Sequence, residues 1–271
     1  MFETGQLSQI NNVPHVGQWQ FNRSANTSKY ADSSTGKGTA VTKGNINITG
    51  SIAGIGGNPI LVPGTEHAFV GISDVAPSAL SYSGTILITS LQVTVDRESA
   101  AIIEWTAGFG AQGDLTAGAT APVDETDFAV HDGASDSAGV AIVGSPDYSI
   151  PGFKKWVLNL TCPEKVYTLN KFIHRKPGNL EGTISIDVWN KTVRDVKYDP
   201  NTIGAVKLYI DATQFWLLNW VRFKETTNLV VDKRTQAIQG YTINGDWTAQ
   251  DGVGSALGAI VRPDDAYIFG E

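Results

Sequence analysis

One stretch of this chain is written twice, and that constrains the fold more than any other feature. Val93-Thr94-Val95-Asp96-Arg97 runs on through Ala101-Ile102 to Trp105-Thr106. Leu229-Val230-Val231-Asp232-Lys233 runs on through Ala237-Ile238 to Tyr241-Thr242. Across these 14 aligned positions five residues are identical, Arg/Lys and Trp/Tyr exchange within their class, and the copies stand 136 positions apart. Trp19 and Trp156 each open an apolar-alternating segment and are 137 apart; Ile46-Asn47-Ile48 and Ile184-Ser185-Ile186 are 138 apart. Three landmarks in one order at a near-constant spacing are what a duplicated domain produces. Two copies are too few for a solenoid, so the expectation is two tandem domains.

The residue types say what kind of domain. The 271 residues are 41% hydrophobic and only 17% charged, with 29 glycines. Val, Ile, Thr and aromatic residues fall in short alternating runs, the pattern of half-buried strands. The expected fold is all-β and mainly antiparallel: two tandem β-sandwich or barrel-like domains from an internal duplication, with extended arms. The boundaries predicted are an N-terminal arm at 1–16, a first β domain at 17–115, an acidic Ala/Gly-rich linker or arm at 116–153, a second β domain at 154–248, and a C-terminal arm at 249–271. Strands are expected over Asn45–Ile52, His67–Ile72, Thr85–Val95, Ile102–Phe109, Trp156–Leu160, Ile184–Val188, Val206–Asp211 and Phe215–Phe223. Residues 23–44, rich in Ser, Thr, Gly and Lys, read as turn-like.

Searching for chemistry turns up little. Gly108-Phe109-Gly110-Ala111-Gln112-Gly113 matches the dinucleotide-binding glycine pattern letter for letter. That pattern works only when a helix N-terminus follows and aims its amides at a pyrophosphate. Here Asp114-Leu115-Thr116-Ala117-Gly118 follows, so a glycine turn at a strand end is expected. His15, His67, His131 and His174 show no metal-ligand spacing. Asp124, Glu125, Asp127, Asp132 and Asp136 surround His131 and could offer carboxylates to calcium, but no EF-hand order is present. They read as a solvated acidic linker. Cys162 is the single cysteine, expected as a small buried hydrophobe; it excludes an intramolecular disulfide framework. No nucleophile elbow occurs, and the five Asn-x-Ser/Thr sequons, at Asn22, Asn26, Asn47, Asn159 and Asn190, are expected by chance in so Ser/Thr/Asn-rich a chain. The reading is of a non-enzyme with no catalytic, cofactor or metal residues and no cofactor. Exposed Trp216, Trp220 and Trp247 would suit sugar stacking; buried, they would be core.

Charge adds a constraint on partners. Residues 1–135 carry five Lys/Arg against twelve Asp/Glu, a net −7, whereas residues 136–271 carry fifteen of each. An acidic half is a poor non-specific binder of nucleic acid, whose affinity for proteins comes from phosphate neutralisation. It could meet the basic segments of a neighbouring copy's other half, the head-to-tail contact that builds rings. The longest apolar run, Phe215–Val221, is too short to span a bilayer, and neither a signal peptide nor a membrane anchor is visible.

At the level of the repeats the chain resembles structural proteins of tailed bacteriophages, in particular tail tube proteins. The resemblance rests on Lys43-Gly44-Asn45-Ile46-Asn47-Ile48-Thr49-Gly50-Ser51, then Pro63-Gly64, then Ser83-Gly84, then Val95-Asp96 leading into Trp105-Thr106-Ala107-Gly108-Phe109-Gly110. In the second repeat it rests on Pro177-Gly178-Asn179-Leu180-Glu181-Gly182, Val206–Asp211 and Tyr241-Thr242-Ile243-Asn244-Gly245. It implies sheets that join neighbouring subunits into a ring and rings that stack into a tube around a DNA channel. A duplicated chain would build a trimeric ring with pseudo-sixfold symmetry. The partners implied are further copies of itself, other virion proteins, and duplex DNA that passes through without specific binding. The expected location is the virion, after synthesis in the host cytoplasm. The rival readings are a capsid-decorating or tail-adaptor virion protein and a carbohydrate-binding β module of a tail fibre. Each repeat, near 100 residues, is short for a tube domain, and no clear helix stands where tube proteins usually carry one.

Overall fold

The computed structural model describes residues 2–5, 7–10, 16–31, 39–56, 59, 61–72, 81–99, 103–118, 140–142, 148–149, 153–188, 203–210, 215–224 and 241–248. Among them every regular element is a strand, and the all-β, mainly antiparallel class expected from the alternating runs is what the chain adopts. The N-terminal half holds β1 (Phe2–Gly5), β2 (Leu7–Ile10), β3 (Val16–Ala31), β4 (Thr39–Ile55), β5 (Glu66–Ile72), β6 (Ser81–Asp96), β7 (Ile103–Ala111) and β8 (Thr116–Gly118). The C-terminal half holds β9 (Val140–Ile142), β10 (Tyr148–Ser149), β11 (Phe153–Thr161), β12 (Glu164–Leu169), β13 (Phe172–Pro177), β14 (Glu181–Val188), β15 (Ile203–Tyr209), β16 (Phe215–Phe223) and β17 (Tyr241–Thr248).

In the first half the ladders run β2–β5–β6–β7–β4–β3, all antiparallel. β1 then pairs with β3, Gly5 opposite Trp19, so the consecutive strands β1 and β2 cover both ends of the path and the ladder closes on itself as a barrel. Closure removes the exposed sheet edges that invite aggregation. An arm is expected over residues 1–16; Phe2–Gly5 and Leu7–Ile10 within it are strands of this ladder. Residues 23–31 and 39–44, expected as turn-like, are the outer part of the β3–β4 hairpin.

The second half follows the order β9–β15–β16–β17–β14–β11, again antiparallel throughout. Ranked by chain position, the six strands of each half stand in the same spatial order. The second half adds β10 beside β9 and the β12–β13 hairpin between β11 and β14. β8, β9 and β10 fall within the stretch expected as a linker; β8 pairs with β6 and β9 with β15.

The halves are joined edge to edge. β6 is 16 residues long, and two strands share one of its edges: β5 along Ser81–Leu87 and β11 along Ser90–Asp96. Buried rows therefore cross both halves, one of them being Trp19, Ile52, Ala107, Leu91, Leu160, Gly182 and Trp247 on seven successive strands. Gly182 has a steric reason: a Cβ there would stand 2.7 Å from Leu160 Cδ2 and 3.3 Å from Trp247 Cε3. On β6 the buried side chains change parity, from Ile86 and Ile88 to Leu91, Val93 and Val95. A bulge between Ile88 and Ser90 makes that shift, so both sets stay on the core face. One hydrophobic core results, continuous from the Trp19–Phe21–Phe69–Tyr82 aromatic cluster to Trp156, Trp216 and Trp247.

The ladders also shift one of the landmarks on which a repeat is expected. Trp19 faces Ile52 and Trp156 faces Ile186, so the rung equivalent to Ile186 is Ile52, 134 positions away, and not Ile48. Ala107 and Ile243, one position beyond the ends of the echo and at its 136-position spacing, continue those two rungs on β7 and β17. The echo's second copy at 229–233, the acidic run 124–136 and the tail 249–271 lie outside the described residues.

Candidate functional site

The junction between the halves is where this chain concentrates polar chemistry. Its first component is the β6–β11 seam. Seven rungs run from Lys155–Asp96 to Thr161–Ser90. Lys155 Nζ stands 3.3 Å from Asp96 Oδ2, Lys154 Nζ stands 2.7 Å from Glu98 Oε2, and Gln92 Nε2 donates to Asn159 Oδ1 at 2.7 Å. The hydrogen bond to Glu98 holds the Lys154 amine above its ordinary range. Exposed pairs of this kind contribute roughly 0–1 kcal/mol each, so the seam's strength lies in its backbone ladder and in Val93, Val95, Trp156 and Leu158 behind it.

The second component is a clasp. The β12–β13 hairpin leaves the second half and lies against the first, with Phe172 beside Ile46 in a parallel contact and Ile46 N–H donating to the Lys171 carbonyl at 2.7 Å. The two-residue turn at Asn170 and Lys171 has φ of 49° and 70°, the left-handed pair that suits a tight hairpin. Arg175, only 2% exposed, is the anchor. Its Nη1 donates to the Ala111 carbonyl at 2.6 Å, its Nη2 donates to Asn47 Oδ1, and its Nε stands 3.1 and 2.9 Å from the two oxygens of Glu164. A buried cation is tolerable only when paired and hydrogen-bonded in this way. Gln112 adds a side-chain amide that meets the backbone of Arg175 in both directions.

Cys162 sits at the root of this hairpin. It is buried as expected; burial raises its thiol above the ordinary range, and the thiol donates to the Gly178 carbonyl at 3.3 Å. The third component is the exposed apolar surface of the hairpin, where Val166, Tyr167 and Leu169 stand between 44% and 59% exposed. Tyr167 stacks on His174 at 5.6 Å, with Lys176 Nζ 5.7 Å from the Tyr167 ring centre.

The sequence candidates fall elsewhere. The 108–113 glycine motif lies on β7 and in the turn after it, and β8 follows instead of a helix. Gly110 is there because Arg175 lies on it, and Gly113 because its φ is 116°. No dinucleotide cradle forms. His67 is buried with Nε2 2.7 Å from Thr65 Oγ1, and His174 is in the hairpin stack. Among the described residues no group of three His, Cys, Asp or Glu could hold a metal ion. Trp216 and Trp247 are 0% and 1% exposed and belong to the core, so neither offers a face to a sugar. His15 and His131 lie outside the described residues, as does the Trp220 side chain. Sequence reasoning missed Arg175; a charged residue in Phe172-Ile173-His174-Arg175-Lys176-Pro177 reads as a solvated strand, and nothing in that segment marks it otherwise.

No protein-family description matches the chain, and no curated protein is detectably similar to it.

Proposed function

We propose that this chain is a self-assembling structural subunit, a virion protein of the tail tube kind, whose copies form rings that stack around a channel for DNA. The observation that carries the reading is the pair of six-stranded paths with one strand order, joined edge to edge through β6 and β11. Two paths of one strand order in one chain support a duplication, as does the 136-position spacing that the Ala107 and Ile243 rungs share with the echo. A chain that already joins one domain to its twin needs only the same contact repeated between copies to make a ring. Three chains then supply six near-equivalent positions. The acidic first half suits a lumen that duplex DNA traverses without sticking, because like charge opposes binding.

The burial of Trp216 and Trp247 weighs against the sugar-binding reading. The test is sedimentation velocity of the purified full chain across a concentration series. A species of three chains, giving way to larger multiples of three, supports the proposal. A monomer at every concentration contradicts it.

A further inference from the structure

We propose, resting on the self-assembly reading above, that the exposed side of the β12–β13 hairpin docks on the Ile55–Glu104 end of a second copy of this chain, and that rings stack through this contact.

Among the described residues four large hydrophobic side chains are exposed, and they fall in two places. Val166, Tyr167 and Leu169 stand on β12, and Ile55, 57% exposed, ends β4. The hairpin register sets Lys165 opposite Lys176, Tyr167 opposite His174 and Leu169 opposite Phe172, so these six share one face. Like charges directly opposite each other weaken a strand pair. The one carboxylate of the hairpin, Glu164, is turned to Arg175, and Lys171 adds a third lysine at the turn. This face is apolar and cationic at a cost to its own hairpin. It fits a partner surface that is apolar and acidic.

The first half carries such a surface. Ile55 stands opposite Glu104, Glu104 opposite Thr94, and Thr94 opposite Val157, one row on four successive strands. The row lies on the outer face, with the exposed Glu104 carboxylate between exposed Ile55 and half-buried Val157. Glu104 also belongs to the half with a net charge of −7. Tyr167 and Leu169 of one copy would cover Ile55 and Val157 of the next, with Lys165 and Lys176 reaching Glu104.

The two surfaces do not cover each other within one chain, since each is exposed. Arg175 lies over Gly110, at the opposite end of the β4–β7 ladder from the Ile55–Glu104 rung. Its bonds to Ala111 and Asn47, and the Ile46 contact at the turn, hold the hairpin there. A second copy set head to tail along β4 brings the surfaces together. Because they differ, every added copy leaves one of each unused, and such a contact repeats without closing. It uses an outer face and a hairpin, whereas the ring contact uses sheet edges, so both can form at once.

The test is charge exchange in the full chain, read by sedimentation velocity across a concentration series. Glu104→Lys alone, and Lys165→Glu with Lys176→Glu, should each keep the three-chain species. Each should raise the concentration needed for larger multiples at least about tenfold, because like charges set across an interface oppose it. Combining all three changes should bring that concentration back to near the parent's. Unchanged multiples in the separate variants, or a combined variant that assembles no better than they do, overturn this inference and leave the assembly reading standing. Loss of the three-chain species in the separate variants also overturns it, because the surfaces would then serve the ring. A parent that stays monomeric overturns both.

Discussion

The side-chain amide of Gln112 pairs with the backbone of Arg175 as a neighbouring strand would. Gln112 Oε1 accepts from the Arg175 N–H at 2.7 Å, and Gln112 Nε2 donates to the Arg175 carbonyl at 2.7 Å and to Glu66 Oε1 at 2.6 Å. One side chain of the first half thus completes the hydrogen bonding of a strand that belongs to the second. Gln112→Glu keeps the shape but removes the donor and sets a carboxylate beside a carbonyl and Glu66. The expected cost is about 2–3 kcal/mol, measured by urea denaturation. A variant as stable as the parent contradicts this role.

Arg175 makes the corresponding prediction from the other side. A Cβ on Gly110 would lie 2.0 Å from Arg175 Nε, so Gly110→Ala must push the guanidinium off its acceptors. Arg175→Met removes the charge and leaves Glu164, the Ala111 carbonyl and Asn47 with fewer partners. Each change should destabilise by roughly 2–3 kcal/mol. This is below the usual figure for breaking a fully buried pair, because the Glu164 side chain is 28% exposed and partly hydrated. Protease accessibility at 164–177 should rise in both, since the hairpin loses its anchor.

The tryptophans separate packing from hydrogen bonding. Trp156 Nε1 donates to the Tyr209 carbonyl at 3.2 Å, whereas the buried Nε1 of Trp247 meets no acceptor among the described residues. Replacing either by Phe removes similar volume. Trp156→Phe should cost about 1 kcal/mol more than Trp247→Phe, the typical net worth of one hydrogen bond. Equal costs would show that the bond contributes nothing.

Two groups set an alkaline limit. Cys162 and Lys154 both have pKa values raised in the folded chain, Cys162 by burial and Lys154 by its hydrogen bond to Glu98. A raised folded pKa means stability is fully present below the unfolded value and is lost as pH rises through the folded one. Stability should therefore hold through neutral pH and decline above the ordinary cysteine range, then again above the lysine range. Cys162→Ala should remove the first of these steps. The parent thiol should also react with an alkylating reagent far more slowly when folded than in urea.

How much of this was legible follows from what period-two patterns encode. They fix which face of a strand is buried, so β15 and β16 were readable from Val206-Lys207-Leu208-Tyr209 and the Phe215–Phe223 run. They do not fix register against an even slip, since such a slip returns the same face. Ile46, Ile48 and Ile52 share one parity, and the sequence match paired Ile48 with Ile186 where the ladder pairs Ile52. Polar strands leave no such pattern: Phe2–Gly5, Leu7–Ile10 and residues 23–31 are held by pairing with β3, β5 and β4, which are tertiary facts. The clasp was invisible for the same reason. Arg175 becomes a core residue only because Gly110, Asn47 and Gln112, more than sixty positions away, surround it.

Copies of this chain are proposed to join as its two halves do. Negative-stain electron microscopy of the purified protein over a concentration series tests it most directly. The expected outcome is rings with a central channel and six lobes of density, built from three chains, which stack into tubes as concentration rises. Particles that remain the size of one chain, or that bind only to preformed capsids, would contradict it.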